Sequence, residues 1–159
     1  MNKIGIVTLN GYFNYGNRLQ NYALQEVLVS MGYSVETIRV ERSENPNKFL
    51  DGLRAIKQWA VNPSLYRLEE KRHSIFYDFS TQYIKETNEK YNGHTNLREL
   101  DDKYDYFVVG SDQVWNPSMN RMAAIFFLTF ANKEKRIAYA PSFGVSQINP
   151  EYIGRYKEW

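Results

Sequence analysis

Blocks of apolar residues follow one another along this chain with spacings that predict strands and helices in turn. Residues 3–9 carry four large apolar side chains around one small glycine, and they predict a first strand. Residues 18–31 carry apolar side chains at four-residue steps, which predict a helix with its apolar stripe toward the core. Strand character returns over 33–40, and a strand, a helix and a strand in about 40 residues predict a βαβ unit with parallel strands and a right-handed crossover. The stripe residues are Leu19, Ala23, Val27 and Met31, with Leu24 and Leu28 beside them.

The middle of the chain has helical spacing separated by polar loops. Residues 49–60 predict a short helix, and Ser64 is a candidate cap for a longer helix over 65–86. Residues 87–95 are polar and contain a glycine, so we expect a loop there. The positions of the longer helix that fall at helical spacing, and are expected to face inward, are Leu65, Leu68, Arg72, Phe76, Phe79 and Tyr83.

Two further apolar runs, at 106–109 and 136–140, predict strands that are buried on both faces. A last helix is expected after Asn149 as its cap, with Pro150 at its first position. Its inward-facing residues are predicted to be Ile153 and Tyr156. This alternation of strands and helices predicts an α/β fold, a Rossmann-like parallel sheet with flanking helices.

Composition narrows the class of protein. The chain has 159 residues, enough for one ordinary domain, and its net charge of +2 argues against nucleic acid as a partner and against a charged membrane surface. It has no cysteine, which excludes disulfides, thiol catalysis and cysteine metal sites. We find no signal peptide and no apolar stretch long enough for a transmembrane span, so we expect a soluble, cytoplasmic protein. His73 and His94 are far apart in the sequence, and we expect no metal site.

The stretch 105–117, DYFVVGSDQVWNP, places polar side chains directly after a buried strand. Gly110 ends the strand, and Ser111, Asp112 and Gln113 follow it. In open α/β sheets, ligands bind at this edge. The alternative is that these polar side chains only cap the next turn or helix. Trp115 comes two residues later, and we expect it either to stack on a sugar or to lie in the core.

The loop at 10–17, NGYFNYGN, lies between the first strand and the first helix. Asn14 or Asn17 is expected to cap that helix, whose first backbone N–H groups are suited to an anion. Gly11 and Gly16 do not fit the dinucleotide-binding pattern, and the phosphate-loop pattern is absent as well. An ordinary strand-to-helix turn is the alternative.

Two blocks of the sequence together resemble a known family. The block KIGIVTLNGYFNYGNRLQNYALQEVL, and the block YDYFVVGSDQVWNP followed by RIAYAPSFG, are similar to the amino-terminal half of polysaccharide pyruvyl transferases. The resemblance implies transfer of a pyruvyl (carboxyethylidene) group from phosphoenolpyruvate to a sugar or glycan, forming a ketal in cell-envelope or exopolysaccharide synthesis, with phosphoenolpyruvate as donor substrate and no other cofactor. It also implies two Rossmann-like lobes arranged as in GT-B glycosyltransferases.

By the same resemblance, residues 1–159 correspond to the amino-terminal, acceptor-side lobe, and the second lobe is absent from this chain. The donor site and catalytic histidine are expected in that second lobe, so the chain is expected to be inactive alone. We expect it to pair with the missing lobe or to self-associate. Two alternatives stay open: a GT-B-like glycosyltransferase lobe that uses a nucleotide sugar, and a non-catalytic binding module. The sequence does not name the acceptor sugar.

By the resemblance these loops face the cleft, and the chemistry of their side chains suggests roles for them. Asp112 is the candidate catalytic residue, as acceptor ligand or general base, or else a structural cap. Arg18 is either a cation near the first loop or a surface residue of the first helical turn, and Tyr15 either stacks on a sugar or lies in the core. The candidate substrate-binding residues are Asn14, Tyr15, Gly16, Asn17, Arg18, Gly110, Ser111, Gln113 and Ser142.

Overall fold

The computed structural model describes residues 1–11, 14–40, 57, 59–92, 97–118 and 123–159. These residues form a five-stranded sheet in the order β3-β2-β1-β4-β5, and every neighbouring pair of strands is parallel. The strands are β1 (Lys3–Val7), β2 (Ser34–Val40), β3 (Glu86–Tyr91), β4 (Tyr106–Gly110) and β5 (Arg136–Tyr139). The α/β, Rossmann-like prediction is confirmed.

Helices flank this sheet. They are α1 (Tyr15–Ser30), α2 (Pro63–Tyr83), α3 (Arg98–Asp101), α4 (Ala123–Phe126) and α5 (Pro150–Glu158), with a 3₁₀ turn at Lys133–Lys135 before β5. Most of the predicted helix over 49–60 lies outside the described residues. No helix in the described ranges is both long and apolar enough to cross a membrane.

Asparagine side chains start three of the helices. Asn14 accepts a hydrogen bond from the backbone N–H of Gly16, so α1 begins at residue 15 rather than 18 as predicted. Asn62 caps α2 by accepting from Leu65, with proline at the first helical position, so the prediction of Ser64 as the cap was wrong. Asn149 caps α5 as predicted. In each case a short side-chain oxygen satisfies a backbone N–H that has no partner within the helix.

The sheet has an apolar cluster on each face. On one face, Val7, Phe107 and Val109 pack with α3, α4 and the turns after them. On the other face, Ile6 and Val108 pack with Leu24 of α1. Adjacent strand residues point to opposite faces, which is why Val108 and Val109 belong to different clusters.

The predicted apolar stripe of α1 is only partly buried: Leu24 and Leu28 pack against the sheet as predicted, but most of the main row is exposed, so that part of the prediction was wrong. Leu19, Val27 and Met31 are exposed, and polar side chains of α1 are buried in their place. The reason is that several of these polar groups form hydrogen bonds. Asn21 Oδ1 accepts from the Thr37 hydroxyl of β2 at 2.9 Å, and such bonds offset the cost of burial, although Asn21 Nδ2 has no partner among the described residues. The other buried polar residues of α1 are Asn17, Arg18 and Gln25.

Gln25 joins α1 to the junction between α2 and β3. Its Nε2 donates to the Tyr83 carbonyl oxygen, and its Oε1 accepts from the Lys85 N–H, both at 2.8 Å. A side-chain amide that both donates and accepts fixes the register of α1 against this junction. Burial of α1 is therefore directed by hydrogen bonds more than by its apolar residues.

Four other predictions were also wrong, in whole or in part. The predicted loop over 87–95 contains most of β3, a polar strand at the sheet edge that pairs with β2 alone and so needs little burial. β5 is the other edge strand and is largely exposed instead of buried. On α2 only Phe76 and Ser80 are buried, and on α5 Ile153 is exposed while Tyr156 is partly buried.

Candidate functional site

The strand order creates a crevice at the carboxyl ends of β1 and β4. These two strands are neighbours, but the chain runs from β1 toward β2 on one side and from β4 toward β5 on the other. The connections therefore diverge between them, and this divergence opens the space in which α/β sheets bind ligands. The described segments that border it follow β1 (residues 8–11 and 14), β4 (111–117) and β5 (140–144).

The backbone at the ends of β4 and β5 is strained. Ser111 has φ of 33° and Ala140 has φ of 46°, in the left-handed region that disfavours residues with a Cβ. Gly110, with φ of 119°, has no room for a side chain, because a Cβ there would lie 2.2 Å from the carbonyl oxygen of Tyr139. Strain of this kind persists only where the surrounding structure imposes it, and it concentrates at functional sites.

The segments after β4 and β5 are held together as one unit. The Ser111 N–H donates to the Tyr139 carbonyl oxygen at 3.0 Å, and the Ser142 N–H donates to that of Asp112 at 2.9 Å. Trp115 N–H donates back to Ser142 at 3.1 Å. These bonds are between backbone groups, so they do not use the side chains of Ser111, Asp112 and Ser142.

Asp112 uses one carboxylate oxygen locally. Its Oδ1 accepts from the backbone N–H of the next residue, Gln113, at 2.7 Å. A capping side chain would accept from an N–H two or three residues on, so this contact is local to Asp112. Its Oδ2 has no hydrogen-bond partner in the described part of the chain, and the residue is partly exposed. One oxygen thus holds the carboxylate in place while the other can accept from a hydroxyl group of a ligand.

Gln113 is exposed, and its side chain lies close to Asn116 and Gly144. Its Oε1 accepts from the Asn116 amide at 3.3 Å. A Cβ at Gly144 would lie 2.3 Å from the same oxygen, so the glycine makes room for this side chain. Gln113 therefore joins the segments after β4 and β5.

Four of the candidates lie at the start of α1, in different environments. Asn14 caps the helix and Gly16 is exposed, whereas Asn17 is buried. Tyr15 is exposed at the helix start, with its ring centroid 4.4 Å from that of Phe76 on α2. The Tyr15 ring therefore contacts Phe76 and keeps a large part of its surface toward solvent.

Arg18 lies inside the protein, with 1% of its surface exposed, so it is not a surface residue of the first turn. Its guanidinium forms an ion pair with Glu86 at 2.9 Å and donates to the Leu9 carbonyl oxygen at 2.9 Å. It also lies 3.4 Å from the Ser80 hydroxyl. Arg18 thus links Leu9, just after β1, to α2 and β3.

Trp115 takes the core position that the sequence allowed as an alternative. Its Nε1 donates to the Phe126 carbonyl oxygen at 3.0 Å. Its ring stacks on Phe127 with centroids 5.0 Å apart and an angle of 10° between planes. Phe143 packs against the same indole at 5.5 Å, so Trp115 supports the segments after β4 and β5.

Sequence reasoning missed Gln20, which borders the crevice. Its Nε2 donates to the Thr8 hydroxyl at 2.8 Å and to the Asn17 carbonyl oxygen at 3.1 Å. Its buried Oε1 has no partner among the described residues. Gln20 and Ser111 both line one groove beside α1. The pattern of the sequence gave no signal for Gln20, because the predicted rotation of α1 placed it away from the sheet.

The described residues contain no group of three or more His, Cys, Asp or Glu side chains that could hold a metal ion. His73 lies on α2, and His94 lies outside the described residues.

Comparison with family models finds a match to the model named "Polysaccharide pyruvyl transferase" over residues 14–159. The chain belongs to the polysaccharide pyruvyl transferase family. Comparisons with curated proteins and with solved structures give no match.

The family match includes the segments after β4 and β5 that border the crevice. It begins at the Asn14 cap of α1 and continues through the strained segments after β4 and β5 to α5. The family name indicates a transferase that acts in polysaccharide synthesis. For this polysaccharide pyruvyl transferase chain, the crevice at the divergence of β1 and β4 is the candidate active-site surface.

Proposed function

We propose that this chain forms the acceptor-side lobe of an enzyme that transfers a carboxyethylidene group from phosphoenolpyruvate to two hydroxyl groups of a glycan. The observation that carries this proposal is the arrangement of Asp112 and Ser111. They lie side by side in a strained segment at the divergence of β1 and β4, with one carboxylate oxygen of Asp112 available to accept from a hydroxyl group.

The chemistry explains why a carboxylate suits this position. One sugar hydroxyl adds to the enol carbon of phosphoenolpyruvate while the methylene carbon gains a proton. The second hydroxyl then displaces phosphate, so the products are the cyclic ketal and inorganic phosphate. Each hydroxyl loses its proton, and Asp112 is placed to accept one of them as a general base.

The donor carries a phosphate and a carboxylate, and both need cations. Arg18, the cation closest to the first loop in sequence, is buried and paired with Glu86. We therefore assign the anionic donor to a second lobe beyond these residues, as the family resemblance implies, and we expect the 159-residue chain alone not to turn over.

The test measures phosphate released from phosphoenolpyruvate by the full-length protein in the presence of envelope glycans. Asp112→Asn keeps the shape and removes the base, so we expect the rate to fall by about 100-fold or more. Asp102→Asn is the matched control, because this exposed carboxylate precedes β4 at the opposite edge of the sheet. Unchanged turnover in Asp112→Asn would remove the proposed base. Release of phosphate only from nucleotide sugars would favour a glycosyltransferase.

A further inference from the structure

The side-chain amide of Gln20 has an orientation that its partners fix. Its Nε2 donates to the carbonyl oxygen of Asn17 at 3.1 Å and to the Thr8 hydroxyl at 2.8 Å. A carbonyl oxygen only accepts, so the amide atom beside it must be the nitrogen, and reversing the amide would place two acceptors together. Thr8 follows β1 directly and is fully buried, so the contact that holds Nε2 is itself held by the sheet.

The Oε1 of Gln20 is buried and accepts no hydrogen bond from the described residues. Most buried polar atoms have a partner, and one that lacks a partner carries an unfavourable free energy until a donor reaches it. Asn10, on the segment after β1, repeats this arrangement. Its Nδ2 donates to the Ile38 carbonyl oxygen at 2.9 Å, and its Oδ1 is buried without a partner in the same part of the chain. Two anchored amides at the carboxyl end of β1 thus each keep one oxygen for a donor that these residues do not supply.

The groove beside α1 indicates the chemistry of the missing donor. Gln20 lines it from α1, and Ser111 lines it from the strained segment after β4. No charged residue of the described ranges lines this groove, so it offers no carboxylate to an ammonium group and no cation to a phosphate. An unpaired oxygen here therefore suits a neutral donor, such as a sugar hydroxyl. The carboxylate and phosphate of phosphoenolpyruvate present acceptor oxygens instead, which Oε1 would repel.

We propose that Gln20 binds the acceptor glycan, with its Oε1 accepting a hydrogen bond from a hydroxyl group that does not react. This rests on the proposed function, in which Asp112 receives a reacting hydroxyl. Ser111 precedes Asp112 and shares the groove with Gln20, so a glycan bound by Gln20 lies beside the segment that carries the base. Gln20 is then a specificity-determining residue. It selects glycans with a hydroxyl at one ring position, because a glycan without that hydroxyl leaves Oε1 unpaired.

The test is an NMR titration of the 159-residue chain, which measures binding without turnover. The probes are the methyl glycopyranosides of glucose, galactose, mannose and N-acetylglucosamine, with their monodeoxy analogues. We expect one deoxy analogue to bind wild type about 3- to 10-fold more weakly than its parent, as the loss of one hydrogen bond predicts. Gln20→Met has a similar length but no acceptor, so it should bind the parent and that analogue alike. In wild type, the parent glycoside should also shift the side-chain amide signals of Gln20.

Gln25→Met is the matched control, because Gln25 lies on the same helix but uses both amide atoms at the junction between α2 and β3. It should lower stability and leave glycoside binding unchanged. The role of Gln20 is overturned if Gln20→Met still discriminates against the same analogue, or if the Gln20 amide signals of wild type do not move. Binding that depends on Gln20, in a full-length protein that releases no phosphate from phosphoenolpyruvate, would instead overturn the proposed reaction alone. A wild-type chain that binds none of the glycosides would overturn both.

Discussion

Replacing Ser111 by glycine should separate the effect of this residue on the stability of the fold from its effect on acceptor binding. Ser111 has φ of 33°, in the left-handed region, where a Cβ costs roughly 1–2 kcal/mol. Glycine removes that cost, although it adds about 0.4–1 kcal/mol of conformational entropy to the unfolded chain. We expect Ser111→Gly to raise the free energy of unfolding by up to about 1 kcal/mol, or a few degrees in Tm for a domain of this size.

Ser111→Ala is the companion variant. Alanine keeps the Cβ and hence the strain, so its stability should stay within about 0.5 kcal/mol of wild type. Both variants lose the hydroxyl, and a lost hydrogen bond to an acceptor glycan is worth about 0.5–1.5 kcal/mol. Acceptor affinity should therefore fall several-fold in both variants, whereas stability should rise only in the glycine variant.

The measurement is urea unfolding followed by tryptophan fluorescence. The backbone N–H of Trp115 donates to the segment after β5, so its fluorescence should change when that segment unfolds. Ala140→Gly serves as a second test of strain, because Ala140 has φ of 46° and no polar side chain to lose. The reasoning fails if Ser111→Gly is less stable than Ser111→Ala. A gain in stability without a loss of acceptor affinity would leave the strain intact as an explanation but remove Ser111 from the binding site.

Three further predictions test the fold around the site. Gly110→Ala places a Cβ 2.2 Å from a carbonyl oxygen of β5, and we expect urea unfolding to show a loss of about 2 kcal/mol or more. Burial raises the pKa of Glu36, but hydrogen bonds from Tyr104 and Lys3 outweigh it and hold the pKa below its ordinary value. Its stabilisation is present at neutral pH and lost on acidification, so wild type should lose stability more steeply than Glu36→Gln between about pH 5 and pH 3, as thermal melts at each pH would show. Gln25→Ala leaves two backbone groups unpaired at the α2–β3 junction, which should cost about 1–3 kcal/mol in the same unfolding assay.

Strand positions were predicted well where apolar residues are buried on both faces. β1 and β4 pair along the centre of the sheet, and their continuous apolar runs are a direct result of that burial. β3 could not be predicted in this way, because an edge strand with polar side chains leaves no apolar pattern. The sequence also could not predict which side of α1 faces the sheet. That depends on the partners of Arg18 and Gln25, which lie some 60 residues away in the chain.

The sequence predicted two segments of the candidate site, but it did not predict the contacts that their side chains make. A buried strand followed by polar residues predicted the segment after β4, and the structure places it at the divergence of β1 and β4. The sequence did not predict that Asp112 would divide its two oxygens between its own backbone and the crevice. Gln20 was missed because the wrong side of α1 was predicted to face the sheet.

The polar edge strand β3 has a consequence for the behaviour of the protein at high concentration. Glu89 and Lys90 are exposed on this strand, so a neighbouring molecule that added a strand there would bring charged side chains into close contact. Such an edge resists the stacking of strands that starts fibril growth. Aggregation by addition of a strand should therefore occur at the β5 edge. A single charged residue introduced on β5 should improve solubility more than the same change on β3.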